Sequence, residues 1–343
     1  TTLAITGVND APVIASNGGG ATAAVSVPET TTAVTTVTAT DIDSAALSYS
    51  ISGGADASRF QIDATSGALS FIIAPDFEIP ADANADNLYH VTVRASDGAL
   101  WDEQSLAITV TDVSQILVVT TALDNNDSGI TNGATYNAEW LNAHRGPDSA
   151  ISLREAIIAA NNSTGPTTIR FAIPGTGSHI IELSAALPDI SRPVILDGST
   201  DDSFAANGNQ PAIVLRGDGR NGTWRGLTLD HGSEGSTIRG LVLQDFDTGL
   251  MIYSSNNTVV GNYIGGLATD GSLLGGHSNA FGVIVRSSNN LIGGTAPADR
   301  NVISGNDATN LTFDSTAAAG NRVFGNHLGT DAAGQTSGTR AFE

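Results

Sequence analysis

The chain contains no cysteine and no lysine; its fourteen basic residues are all arginine. Without cysteine there is no disulfide framework, no thiolate metal site and no sulfur nucleophile. Without lysine, a polysaccharide lyase on this chain would have to draw its base from histidine or arginine. Aromatic residues make up only 5% of the sequence, which weakens any sugar-stacking groove, although Trp224, Tyr253, Tyr263 and Phe281 could line a shallow one. No apolar run approaches the ~18 residues that a spanning helix needs. Thr1–Val8 reads as the closing strand of a preceding module rather than a secretory leader. The chain is therefore expected to be an excerpt of a longer polypeptide, truncated at both ends, with its export signal elsewhere.

The sequence does have acid in excess, with a formal net charge of −21 over 343 residues. Such a charge repels nucleic acid and anionic membrane, and favours bound cations or neutral partners. The length allows two domains. Glycine, alanine, serine, threonine, asparagine and aspartate dominate, as suits short strands and tight turns.

The pattern that organises the second part is a long-period repeat. Gly249-Leu-Met-Ile-Tyr-Ser-Ser-Asn-Asn-Thr-Val-Val-Gly-Asn262 aligns with Gly282-Val-Ile-Val-Arg-Ser-Ser-Asn-Asn-Leu-Ile-Gly-Gly294. A third copy runs from Asn310-Leu-Thr-Phe through an insertion to Asn321-Arg-Val-Phe-Gly-Asn326. A period of ~20–35 residues signals stacked coils rather than one globular core. Leu250/Ile252, Val283/Val285 and Leu311/Phe313 are each two apart, so each pair faces one side of its strand. Such narrow apolar edges become a core only when coils stack. Asn257, Asn290 and Asn321 are expected to stack at a corner and bond from coil to coil. The pattern predicts a right-handed parallel β-helix over 114–343. Ordinary sandwich strands with Asn-rich turns are the plainer alternative.

Ahead of it, Pro12 marks a linker, and 9–113 carry short alternating segments: Ala33–Ala39, Leu47–Ser52, Ala68–Ile72, Tyr89–Ala95 and Leu106–Val110. Five such segments in ~100 residues predict an antiparallel β-sandwich. Acids punctuate them: Asn9-Asp10, Glu29, Asp41-Ile-Asp43, Asp76-Phe-Glu78, Asp97 and Asp112. Carboxylates two apart on an extended segment point the same way, so Asp41/Asp43 and Asp76/Glu78 are natural clamps for calcium, which takes six to eight oxygens. Asp82-Ala-Asn84-Ala-Asp86 mimics the start of an EF-hand loop but lacks its glycine and closing glutamate. For each of these acids a solvated surface carboxylate is the alternative.

In this order, the acids resemble those of bacterial cadherin-like repeats, which are calcium-binding immunoglobulin-like sandwiches strung in tandem. The resemblance covers about 9–113. It implies that Asn9, Asp10, Asp41, Asp43 and Asp97 serve one junction, and Glu29, Asp76, Glu78 and Asp112 the other. Asp112 is followed by Val-Ser-Gln instead of the usual Asn-Asp-Asn linker, so the second junction is incomplete.

In the second part, Ile116–Thr121 reads as a strand and Asp124-Asn-Asn-Asp127 as a turn that could hold a cation. Leu153–Asn161 is the one helix the pattern supports. Ser152 and Glu155 form a capping box, and the helix is placed near 152–161 as the amino-terminal cap of the coils. Ile151-Ser-Leu-Arg-Glu-Ala-Ile157 resembles the opening of a family of bacterial surface β-helix proteins, with Ile151 where that family has cysteine. That resemblance covers about 116–335 and implies architecture more than activity.

Candidates for catalysis are Asp197, Asp201, Asp202, Asp230, His231, Asp245 and Asp247, with Arg225 and Arg239. Asp230-His231 is the most suggestive pair, yet neighbours on a strand face opposite ways. For Asp201 and Asp202 a loop between coils is the alternative. The function these patterns favour is a Ca2+-stabilised segment of a bacterial surface or secreted adhesin, extracellular and monomeric. Its expected partners are the neighbouring modules of its own chain and cell-surface glycan or polysaccharide, without membrane insertion. The alternatives are a polysaccharide lyase or glycoside hydrolase with an accessory sandwich, and a non-catalytic carbohydrate-binding module.

Overall fold

The computed structural model describes residues 7–77, 79–113, 115–219 and 223–335. The chain divides into two compact units, Thr1–Val113 and Ser114–Glu343. The first six residues of the expected tail strand lie outside the described residues.

In the first unit, alternation of apolar and polar residues builds a sandwich. One sheet orders Thr22–Pro28, Trp101–Thr111, Leu88–Ser96 and Ser48–Gly53; the other orders Ala33–Thr36, Ala68–Phe71 and Phe60–Ile62. A short pair, Val13–Ile14 with Ala39–Thr40, completes it. Val91, Val93, Ala95, Leu106, Ile108 and Val110 face inward at alternate positions and meet Phe60, Phe71 and Tyr89 in one buried cluster. The pairing is antiparallel throughout except between Thr22–Pro28 and Trp101–Thr111, which run parallel. The expected strand Ala33–Ala39 is split in two, because Val37 turns into the core between the halves. Phe60–Ile62 and Thr22–Pro28 were not anticipated from the sequence; the first is only three residues long and the second is rich in alanine.

The second unit is a parallel β-helix with three faces. The first face stacks seven strands: Gln115–Val119, Thr167–Phe171, Val194–Asp197, Thr237–Arg239, Thr258–Val260, Leu291–Gly293 and Arg322–Phe324. The second face stacks six: His179–Glu182, Ile213–Arg216, Leu241–Gln244, Tyr263–Ile264, Val302–Ile303 and His327–Leu328. The third stacks four: Arg225–Leu229, Thr248–Ile252, Phe281–Val285 and Thr309–Phe313. All their pairings are parallel and in register, so like residues pile into columns. Leu117, Ile169, Leu196, Ile238, Val259 and Ile292 form one such column. Leu227, Leu250, Val283 and Leu311 form another. Each buried aliphatic side chain contributes about 1.5–3 kcal/mol relative to exposure.

Asparagine fills the corners. The Oδ1 of Asn257 accepts from the Ser236 amide, that of Asn290 from Asn257, and that of Asn321 from Asn290, at 2.9, 2.9 and 2.8 Å. A second ladder, absent from the sequence reading, joins Asn262, Asn301 and Asn326. A glycine column at 226, 249 and 282 lets the third face approach the core. A Cβ at Gly282 would stand 2.3 Å from the Asn310 carbonyl oxygen.

The expected cap helix is α2, Leu153–Asn162, preceded by a short α1, Ala138–Ala143, which the sequence reading did not find. Another short helix, α3, spans Asp202–Ala206. Both are brief, and each starts from an Asn or Asp cap rather than from an apolar period. α1 and α2 put Leu141, Leu153, Ala156 and Ile157 into the same core as Leu117. The capping box is complete: Ser152 Oγ accepts from the Glu155 amide, and Glu155 Oε2 accepts from the Ser152 amide.

Candidate metal sites

At one end of the sandwich the structure brings Asn9, Asp10, Asp41, Asp43 and Asp97 together. Asn9 Nδ2 donates to Asp97 Oδ2 at 2.7 Å, and the Asp10 amide donates to Asp43 Oδ2 at 3.1 Å. Asp41 Oδ1 accepts from the amides of Asp43 and Ser44, while its Oδ2 is shielded from solvent and has no hydrogen-bond partner. Asp97 Oδ1 takes the amides of Ala99 and Leu100. These hydrogen bonds hold the carboxylates of Asp41, Asp43 and Asp97 close to one another at this end. The electrostatics follow. The Asp43 amide, opposed by partial desolvation, holds the Asp41 carboxyl below its ordinary range. The Leu100 and Ala99 amides and Asn9 hold Asp97 low. Asp43 is raised, chiefly by the neighbouring Asp41 side chain.

At the other end, Glu29 is buried, and its two oxygens accept from the amides of Phe77 and Val113 at 3.0 and 2.9 Å. Asp112 is raised by desolvation first and then by the charge of Glu29. Asp76 Oδ1 accepts from the Ile79 amide, turning the segment back. Glu78 lies outside the described residues.

Asp82, Asn84 and Asp86 do something different. Asp82 Oδ2 and Oδ1 accept from the amides of Asp86 and Asn87, Asn84 Nδ2 donates to Asp86 Oδ2, and Asp86 Oδ1 takes the Leu88 amide. Burial would raise Asp82, but these amides outweigh it and the carboxyl is held low. The loop is thus held in shape by its own side chains. Asp56, not picked out in the sequence, is a structural acid of the same kind, bridging the amides of Ala83 and His90.

In the β-helix, Asp124 is a clamp. It pairs with Arg154 of α2 at 2.9 and 2.7 Å and accepts from both the amide and the hydroxyl of Ser184. Arg154 also reaches the carbonyls of Ala185 and Ala186. The Ser-Leu-Arg-Glu-Ala segment thus has a physical reason at each residue: Ser152 caps, Leu153 and Ala156 enter the core, Arg154 clamps and Glu155 closes the box. Ile151, standing where cysteine resides in the similar family, is fully buried in the core.

Of the catalytic candidates, Asp245, Asp247 and Asp197 are engaged locally. Asp245, at a left-handed φ of 60°, bonds His277 Nδ1 at 2.6 Å and lies 3.8 Å from Arg216 Nε. Asp247 accepts from the Thr248 hydroxyl. Asp230 and His231 both follow the strand that ends at Leu229; His231 packs near Tyr253, with ring centroids 6.3 Å apart. Asp197 caps the turn at Ser199 and sits 3.4 Å from Arg239 Nε.

The cadherin domain family matches residues 23–111. Among solved structures, the chain is similar to Drosophila N-cadherin EC1-4 at 20% identity, over 34% of this chain and 31% of that one, with a TM-score of 0.26. It is similar to human protocadherin-24 EC1-2 at 20% identity, over 35% and 55%, with a TM-score of 0.26. For the third cadherin domain of human protocadherin 7 the figures are 20%, 33% and 95%, with a TM-score of 0.25. The chain thus spans about a third of the length of the Drosophila structure. Comparison with curated proteins returned no match. The first unit carries a cadherin-like repeat, and the family match extends over residues 23–111 alone.

Proposed function

We propose that the chain is an extracellular segment of a bacterial surface or secreted adhesin, in which calcium stiffens the sandwich as a spacer and the β-helix serves as a rigid display rod. The observation that carries this reading is the convergence of Asp41, Asp43, Asp97 and the Asn9-Asp10 pair, with one shielded oxygen of Asp41 unpartnered. A hard divalent ion takes several such oxygens at once. Glu29, Asp76 and Asp112 supply the corresponding acids at the far end. The net charge of −21 suits cation recruitment and disfavours nucleic-acid partners. The expected partners are the neighbouring modules of the same chain, with the protein acting as a monomer.

The test is thermal unfolding of the full chain with and without calcium. At about a hundredfold excess over Kd, one bound ion adds about 2.7 kcal/mol to the unit that holds it. The Asp41→Asn/Asp43→Asn double variant should lose the response. Identical melting curves for the parent chain with calcium and with chelator would overturn the reading.

A second reading, glycan recognition by the β-helix, rests on one patch. Arg225 and Arg286 both lie over the Tyr253 ring, at 5.6 and 5.7 Å from its centroid, and Asp314 pairs with Arg286. An aromatic ring with cationic flanks suits an acidic sugar. A panel of acidic and neutral polysaccharides, scored for binding and for cleavage, separates display, recognition and catalysis.

A further inference from the structure

Among the described residues, one group of acids and histidine brings its donor atoms close on all sides: those of His179, Asp201 and Asp202 all lie within 4.8 Å of one another. His179 opens a strand of the second face, while Asp201 and Asp202 lie on the next coil, at the start of α3. The imidazole is only 9% exposed, and its Nε2 is buried without a hydrogen-bond partner. Leaving such an atom unpaired costs about 1–3 kcal/mol. Nε2 instead points at Asp201 Oδ1 from 3.6 Å, across the gap between the coils.

That separation is too long for a hydrogen bond. It does suit two ligands of one ion: donors bound at about 2.0–2.1 Å with a tetrahedral angle are about 3.4 Å apart. The supporting shell is built. Asp201, 2% exposed, has Oδ2 held by the Ile173 amide at 2.9 Å and Oδ1 held by the amide and hydroxyl of Ser203 at 3.0 and 2.5 Å. Such second contacts orient a metal ligand. The turn before His179 is closed over the ring: a Cβ on Gly175, at φ +133°, would lie 3.2 Å from Cε1. Asp202 is exposed and leaves the remaining position to water. Calcium prefers an all-oxygen shell, whereas one imidazole with two carboxylates suits zinc.

We propose that His179, Asp201 and Asp202 form a zinc site that clips together the corners of two successive coils at the entry to the β-helix. The clip is independent of the calcium reading of the first unit, since it shares no residue with it.

The experiment is calorimetric titration of the chelator-treated full chain with Zn2+, in buffer already saturated with calcium so that the sandwich carboxylates are occupied. The expected result is one equivalent bound. His179→Gln should weaken binding by more than about 100-fold and Asp202→Asn by at least about 10-fold, since losing a ligand costs no less than the roughly 10–100-fold of losing an outer-shell partner. Co2+ in place of Zn2+ should give the visible absorption of a four-coordinate ion, lost in His179→Gln. Asp202 is solvent-facing, so Asp202→Asn tests the site even if His179→Gln does not fold. Absence of zinc binding by the parent chain overturns the proposal, as does an unchanged Kd in Asp202→Asn or in a folded His179→Gln.

Discussion

Asp43 and Asp41 sit side by side on one turn, and opposite shifts follow from that placement. Asp41 and Asp97 are held low by backbone amides, so their contribution is present above the ordinary carboxylate value and is lost as pH falls through the folded one. Asp43 is raised, so its contribution is present in acid and lost as pH rises through its folded value. A neutral side chain at 43 therefore helps the calcium-free protein. Asp43→Asn should raise the calcium-free midpoint of the first unit slightly and abolish its response to calcium, as read by scanning calorimetry. In the parent chain calcium affinity should weaken as pH falls into the carboxylate range, because protons then compete with the ion for these carboxylates.

The Arg154–Asp124 clamp makes a contrasting case. Asp124 is buried, and Arg154→Ala would strand its charge at a cost of about 3 kcal/mol, measurable by urea unfolding. At this scale the grouping of acids at the first junction was legible through the resemblance to cadherin-like repeats rather than through spacing, since Asp41 and Asp43 stand on a turn and not on the extended segment expected. The sequence could not show that the acids of 82–86 bond their own backbone, nor that His179 meets Asp201. Those outcomes depend on a turn closing and on a coil-to-coil contact.

Among elements, the asparagine ladders carry the same logic along the stack. Asn290 is fully buried and accepts from both the backbone and the side chain of Asn257. Asn290→Ala should cost about 1–3 kcal/mol, chiefly for the Asn257 amide left unpaired since Asn257 Nδ2 keeps Ser254, as read by denaturant midpoint. Ile238→Ala, in the aliphatic column, should cost a comparable 2–5 kcal/mol, mostly as a cavity. The repeat and its Asn257–Asn290–Asn321 ladder were legible because two copies carry the same Ser-Asn-Asn corner and the third brings its asparagine back at nearly the same distance, ahead of an apolar pair. The third face was less so. Its strands are separated from those of the second by 3, 16 and 5 residues in successive coils, which hides the period. α1 escaped notice because six residues give no reliable helical period, whereas the ten of α2 carried a capping box.

The two units differ in what stabilises them. The sandwich has paired carboxylates close to one another at an end; the β-helix has columns of aliphatic side chains and closed hydrogen-bond ladders. Calorimetry of the full chain should therefore resolve two transitions, with calcium shifting only the one belonging to residues 1–113. A single transition moved as a whole would mean that the units unfold together.

The uneven spacing within the coils has its own corollary. Gly275 and Gly276 lie in the 16-residue excursion between Tyr263–Ile264 and Phe281–Val285, where an added Cβ would meet nothing within 4 Å. Excising both should leave the fold intact, whereas excising one residue from 286–289 would pull the next asparagine out from under its partner. Sequence drift in this molecule is thus tolerated by place rather than by amount. The excursions can lengthen or vanish, and even the corner that is five residues long before Leu291 takes eight before Arg322, so long as an asparagine still closes it beneath its partner.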